Sequence, residues 1–172
     1  MSQFIVTDIR KCVACKACEM ACALEHSSSR TLEEAVHERP RPQSRVSVLS
    51  SGDYCVPLQC RHCEDAPCIL VCPTTAMHRG EANGPVLVNR DRCIGCRACL
   101  VACPFGAIDM AGNGKAVTKC DLCVERGRQA LGPACVESCP THAMQVGDPP
   151  KLNLERRRQS ADQACTHLEG DL

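Results

Sequence analysis

The sequence predicts a small α+β fold held together by cysteine-bound metal more than by an apolar core. Three observations carry this. Sixteen of the 18 cysteines fall into four regularly spaced groups. Those cysteines inflate the apolar share, which is 44% with all 18 and roughly 34% without them, against ~45–50% in an ordinary globular chain. Between the groups lie short strand-like runs, turns and one helix-forming stretch, and only Phe4, Tyr54 and Phe105 are aromatic. With so little apolar bulk, metal-binding energy has to become folding energy.

The most specific stretch is Cys93-Ile94-Gly95-Cys96-Arg97-Ala98-Cys99-Leu100-Val101-Ala102-Cys103-Pro104. Its spacing, C-x2-C-x2-C-x3-C-P, is the one two-cluster bacterial ferredoxins use to hold [4Fe-4S] clusters. Three thiolates bind one cluster and the fourth binds another, so the run predicts clusters in pairs. The proline fixes φ and turns the chain away.

The elements follow in order. Gln3–Thr7 reads as a strand. Group one is Cys12, Cys15, Cys18 and Cys22, followed by Ala23 in place of proline, and Ala17–Glu25 is rich in helix formers. Residues 27–44 form a polar insertion, either a solvated connector or a partner-contact loop, with one helical turn at 31–36. Arg45–Leu49 and Asp53–Val56 are extended. Group two is Cys60, Cys63, Cys68, Cys72 and Pro73, with two residues inserted before the third cysteine. Residues 74–78 read as a strand, Asn83-Gly84 as a turn, and Pro85–Asn89 as a strand into group three. Ala107–Met110 and Ala116–Thr118 flank a turn at Gly112–Gly114. Group four is Cys120, Cys123, Cys135, Cys139 and Pro140, its middle gap filled by a polar helix or loop. Ala143–Val146 closes as a strand. The polar residues 148–172, with a basic run at 156–158, read as a loosely ordered tail in preference to a docking helix.

The groups repeat. Cys72-Pro73-Thr74-Thr75-Ala76-Met77, Cys103-Pro104-Phe105-Gly106-Ala107-Ile108 and Cys139-Pro140-Thr141-His142-Ala143-Met144 are one phrase three times over. One pair of groups makes one two-cluster module, so four groups imply two modules and four [4Fe-4S] clusters. Spacing shows that fourth cysteines are exchanged, but not between which groups. Cys55 and Cys165 are left over, the first expected as a small buried apolar residue and the second as a free thiol.

Several function classes are excluded. Twenty basic and 20 acidic residues give no net charge, unlike a nucleic-acid binder. No apolar run approaches the ~20 residues of a membrane span. Met1–Asp8 lacks the basic and apolar regions of a signal peptide. A reducing, cytoplasmic setting is expected, where cysteine clusters bind metal more often than they pair. No nucleotide fingerprint or catalytic constellation appears, so the chain is expected to have no catalytic site of its own. Zinc sites use C-x2-C pairs, but successive x2 gaps closed by x3-C-P are not their pattern, and a structural zinc protein stays a remote alternative. Lys11, Lys16, Arg92, Arg97 and Lys119 lie beside ligands, where a positive charge raises a nearby potential by favouring the reduced state, but most of them are expected as surface charges.

Over residues 3–146 the four groups resemble the four-cluster iron–sulfur subunits of the dimethyl sulfoxide reductase, formate dehydrogenase, hydrogenase and carbon monoxide dehydrogenase systems. The phrases Cys12–Ser27 and Tyr54–Cys60 look most like the ferredoxin-like subunit that accompanies carbon monoxide dehydrogenase. The resemblance implies two ferredoxin-like modules, one nested in the other. Residues 1–54 plus 111–147 form the outer module (groups one and four), and 55–110 the inner one (groups two and three). It also implies four ligand sets: Cys12, Cys15, Cys18 and Cys139; Cys22, Cys120, Cys123 and Cys135; Cys60, Cys63, Cys68 and Cys103; and Cys72, Cys93, Cys96 and Cys99. Iron is then held through these 16 cysteines. The implied role is one-electron relay between a catalytic oxidoreductase subunit (carbon monoxide dehydrogenase, hydrogenase or formate dehydrogenase type) and a second redox partner. A free-standing polyferredoxin shuttling between enzymes is the alternative.

Overall fold

The computed structural model describes residues 4–81, 84–147 and 149–169. Gln3 and Asn83, part of the expected first strand and of the expected turn, lie outside them. The described chain mixes short helices with four two-stranded antiparallel sheets. β1 (Phe4–Thr7) pairs with β8 (Met144–Gly147), joining the two ends of the cysteine-bearing chain. β2 (Val46–Ser51) pairs with β3 (Tyr54–Gln59), β4 (Met77–Arg79) with β5 (Val86–Val88), and β6 (Ile108–Met110) with β7 (Val117–Lys119).

The helices are brief: α1 (Ala17–Glu25), α2 (Leu32–Ala35), α3 (Pro67–Leu70), α4 (Ala98–Ala102), α5 (Val124–Arg128) and α6 (Ala134–Glu137). Three of them, α3, α4 and α6, are not legible as helices in the sequence. Each spans four or five residues around a third cysteine, too few for a periodic pattern.

Two small cores form. One gathers Cys18, Cys22, Cys135 and Cys139 with Val46, Val48, Ala143 and Met144. The other gathers Cys68 and Cys99 with Ala66, Met77, Val86, Ile108 and Val117. Met77, Ile108 and Met144 hold the same place in the repeated phrase, and all three are buried. The repeat thus delivers one apolar side chain under each cysteine turn.

Two expectations need correction. Residues 74–76 are a turn, and the strand begins only at Met77. Pro73 starts that turn, Thr75 is left-handed (φ 53°), and its N–H donates to the Cys72 carbonyl at 3.3 Å. Gly106 and His142, at the same place in the repeat, are left-handed too. The tail is not loosely ordered within the described residues: Pro149–Glu169 form α7. Its Lys, Leu, Glu, Arg, Gln and Ala are good helix formers, and proline at the first helical positions costs no hydrogen bond. The insertion is also organised, since the Ser28 and Ser29 N–H groups donate to Glu38 at 3.2 and 2.9 Å. Among the described residues no helix is long and apolar enough to cross a membrane.

Candidate metal centres

All four cysteine groups fold alike. A C-x2-C loop leads to a short helix carrying the third cysteine: Cys18 in α1, Cys68 in α3, Cys99 in α4 and Cys135 in α6. All four are buried. The residue before the second cysteine is left-handed every time: Ala14 (φ 55°), His62 (50°), Gly95 (68°) and Leu122 (57°). Such turns aim successive N–H groups into one concavity, a device found at anion and iron–sulfur sites. Some of those N–H groups reach sulfur. His62 N–H donates to Cys60 Sγ and Leu122 N–H to Cys120 Sγ, both at 3.4 Å.

Third and fourth cysteines are four residues apart, which in an unbroken helix puts them on one face. The proline prevents that. α4 ends at Ala102 and Cys103 is extended (φ −78°, ψ 112°), with Pro104 next. Cys99 and Cys103 therefore line different cavities. In group one Ala23 replaces the proline, and the helix runs through Cys22 to Glu25.

The thiols converge across the chain. Cys12, Cys15, Cys18 and Cys139 line one cavity of about 300 Å³. Cys60, Cys63, Cys68 and Cys103 line a second of about 340 Å³, closed on one side by Phe105 with the Arg61 guanidinium 4.4 Å above its ring. Cys72, Cys93, Cys96 and Cys99 line a third of about 330 Å³. The remaining four are Cys22, Cys120, Cys123 and Cys135, all of them buried. Burial raises the Cys135 thiol, and the Cys120, Cys22, Cys123 and Cys18 thiols all raise it further through their charge. All 18 cysteines are free thiols.

Burial sets the thiol chemistry. It pushes Cys18 and Cys123 up to about 11 and Cys120 up to about 12, and drives Cys135 higher still. Such thiols stay protonated at neutral pH unless a cation replaces the proton. Cys72 and Cys139 lie below the usual range. Burial raises them, but hydrogen bonds outweigh it, chiefly from the N–H groups of Met77 and Met144. Cys22 is lowered in the same way by His26 and by the Arg45 N–H, which lies 3.2 Å from its sulfur.

All-sulfur donor sets of four suit a soft, thiophilic metal centre. A lone zinc draws four sulfurs to ~2.3 Å from one atom, which leaves no cavity between them. The C-x2-C-x2-C-x3-C-P spacing fits a polynuclear iron–sulfur cluster better.

A brace that spacing does not reveal ties the chain after group one to group four. Asp121 accepts from Arg45 at 2.5 Å and faces His26 Nε2 at 3.2 Å, while His26 Nδ1 lies 2.8 Å from the Cys22 carbonyl. Burial alone would lower His26, but Asp121 and Cys22 raise it to about 9, and His26 and Arg45 hold Asp121 well below the carboxylate range despite its burial. His26, Asp121 and Cys123 could between them offer ligand atoms within 4.8 Å. Asp121 is already engaged as an ion-pair hub, so no separate metal site is assigned there. Lys119 departs from its expectation as a surface charge: it is 4% exposed, while Lys11, Lys16, Arg92 and Arg97 are exposed. Cys55, on β3, is half-buried against the first core, and Cys165, on α7, is exposed.

Known proteins agree with this picture. Residues 52–149 match the 4Fe-4S dicluster domain. An electron transport protein of Escherichia coli K12, YsaA, is 41% identical over 92% of this chain and 98% of its own. The electron transport protein HydN of the same strain is 38% identical over 94% and 98%. The B subunit of that strain's anaerobic dimethyl sulfoxide reductase is 39% identical over 81% and 70%. With cavities lined by four cysteines each and relatives that are electron transport proteins, this chain belongs to the 4Fe-4S dicluster domain family and is an iron–sulfur electron-transport protein.

Proposed function

We propose that the chain holds four [4Fe-4S] clusters and relays single electrons between the catalytic subunit of a larger oxidoreductase and a second redox partner, without a catalytic site of its own. The ligand sets are Cys12, Cys15, Cys18 and Cys139; Cys22, Cys120, Cys123 and Cys135; Cys60, Cys63, Cys68 and Cys103; and Cys72, Cys93, Cys96 and Cys99. The observation that carries this reading is the convergence of twelve of the sixteen thiols, from stretches up to 127 positions apart (Cys12 to Cys139), into three cavities of four. A [4Fe-4S] cluster supplies one-electron chemistry at a potential set by charge, hydrogen bonds and burial. The chain supplies the rest: left-handed turns that present N–H groups to sulfur, and helices that bury the third cysteine of each set.

Two nested modules organise the sets. Residues 1–54 plus 111–147 form the outer one, 55–110 the inner one, and 148–172 a polar appendage. The β1–β8 pairing and the first core, which mixes residues of groups one and four, support this division. The second core, drawn from groups two and three plus Val117, supports it as well. Exposure marks the exchange points. Of the sixteen cysteines only Cys15 and Cys96 are exposed, and Val13 and Ile94 beside them are each 65% exposed. Electron tunnelling falls steeply with distance, so partners dock over these two sites.

The catalytic partner is of carbon monoxide dehydrogenase, hydrogenase or formate dehydrogenase type, and the setting is cytoplasmic. Anaerobic recovery of the tagged chain from its own cells should bring down one such subunit at fixed stoichiometry. Recovery of the chain alone, still fully loaded with iron and reduced by several unrelated enzymes, would replace this reading by a free-standing polyferredoxin.

A further inference from the structure

Lys119 is the one cation among the described residues whose burial calls for an anion that the polypeptide does not supply. It ends β7, is 4% exposed, and lies next to Cys120 in sequence. Its Nζ donates to the Cys120 carbonyl at 2.7 Å and to the Val86 carbonyl at 2.5 Å. Among the described residues no carboxylate pairs with it. The nearby Asp121 is taken up by Arg45 and His26. An ammonium removed from water is costly unless a negative charge compensates it.

Its position shows where that charge belongs. Cys120 is one of the thiols of the set with Cys22, Cys123 and Cys135. Val86 lines the cavity of Cys60, Cys63, Cys68 and Cys103. The ammonium therefore bridges two sulfur sets through its two hydrogen bonds. Val86 is fixed from its other side, since its N–H donates to His62 Nδ1 at 3.0 Å. The imidazole proton then sits on Nε2, which is buried and has no partner among the described residues. A ring that accepts at Nδ1 adds no competing charge. A cubane bound by four thiolates is anionic in either redox state and gains a further negative charge on reduction.

We propose that Lys119 is a shared tuning residue, whose buried ammonium raises the reduction potentials of the two clusters it bridges and leaves the other two unaffected. The inference rests on the four-cluster reading. A fixed positive charge favours the reduced, more negative state, and inside the protein it is poorly screened. Lys119 acts through the clusters' electrostatics, and its only bond to a ligand residue is to the Cys120 backbone. The two bridged clusters, one from each module, become the place where electrons rest between the two exposed exchange sites.

The test is an anaerobic redox titration of the reconstituted full-length chain, followed by electron paramagnetic resonance. It compares the wild type with Lys119→Met, Lys119→Gln and Lys119→Arg. Met keeps the bulk, Gln keeps donors for the two carbonyls, and both remove the charge. At fixed potential, the reduced-to-oxidised ratio of two of the four clusters should fall about tenfold in both neutral variants, a downward shift of about 59 mV for a one-electron couple. The other two should not move, and Lys119→Arg should stay near wild type. No shift, an equal shift of all four, or Arg behaving like Met overturns the proposal. Failure of both neutral variants to load full iron assigns Lys119 to folding and overturns it too. A wild type with fewer than four clusters refutes the four-cluster reading instead, whatever the variants do.

Discussion

Cys139→Ala should remove one cluster of four, and it should be the one whose other three ligands lie more than 120 positions away, at Cys12, Cys15 and Cys18. Iron should fall by about a quarter. The decisive form is a double-mutant comparison. Cys12→Ala should lose the same quarter, and Cys12→Ala with Cys139→Ala should lose no more than either alone, because both residues serve one centre. Cys103→Ala combined with Cys139→Ala should lose half, because these serve two centres. Stability should fall as well. Cys139 is buried in the first core and leads through Pro140 into β8, whose only strand partner among the described residues is β1. Large-to-small changes at buried sites cost about 2–5 kcal/mol, and the lost ligand adds to that. Anaerobic iron analysis and thermal unfolding read both effects. A double variant of Cys12 and Cys139 holding only half the wild-type iron would separate the two residues and break the nested pairing.

Stripping the metal should unfold most of the chain. Outside α7, the described secondary structure is four two-stranded sheets, marginal in water on their own, and helices of nine residues or fewer, too short to persist alone. Eight cysteines stand among the buried core residues. Without metal the buried thiols take up protons, as burial has raised Cys18, Cys120 and Cys123 to about 11 to 12, but protonated thiols do not tie one module segment to another. Anaerobic chelation under reducing conditions should therefore abolish most of the far-UV circular dichroism outside α7, and it should open the chain to protease between the cysteine groups. A chelated protein that kept wild-type protease resistance would show that the small apolar cores suffice, contrary to the energetic argument from composition.

The sequence carries the sites more openly than the fold. The C-x2-C-x2-C-x3-C-P spacing is visible because iron coordination imposes strict intervals, and every strand expected from alternation or an apolar run has a counterpart in the structure. Three kinds of feature are not legible. The short helices α3, α4 and α6 arise because the third cysteine needs a compact turn to be buried, not because their residues favour helix. The left-handed turns at Ala14, His62 and Leu122 carry no glycine to announce them, and only the repeat puts them at one offset. The Arg45–Asp121–His26 brace and the burial of Lys119 join residues 76, 95 and 33 positions apart, a distance at which no local pattern operates. The polar helix α7 is hidden for another reason: a helix without an apolar stripe looks like a tail.

The most direct test of the central claim is the stoichiometry of iron and acid-labile sulfide in anaerobically prepared, full-length protein. Four clusters on sixteen cysteines predict about sixteen iron and sixteen sulfide per chain, since each cubane holds ~4 of each. Colourless protein with about four zinc per chain and no sulfide, or brown protein saturating at about eight iron, would contradict it.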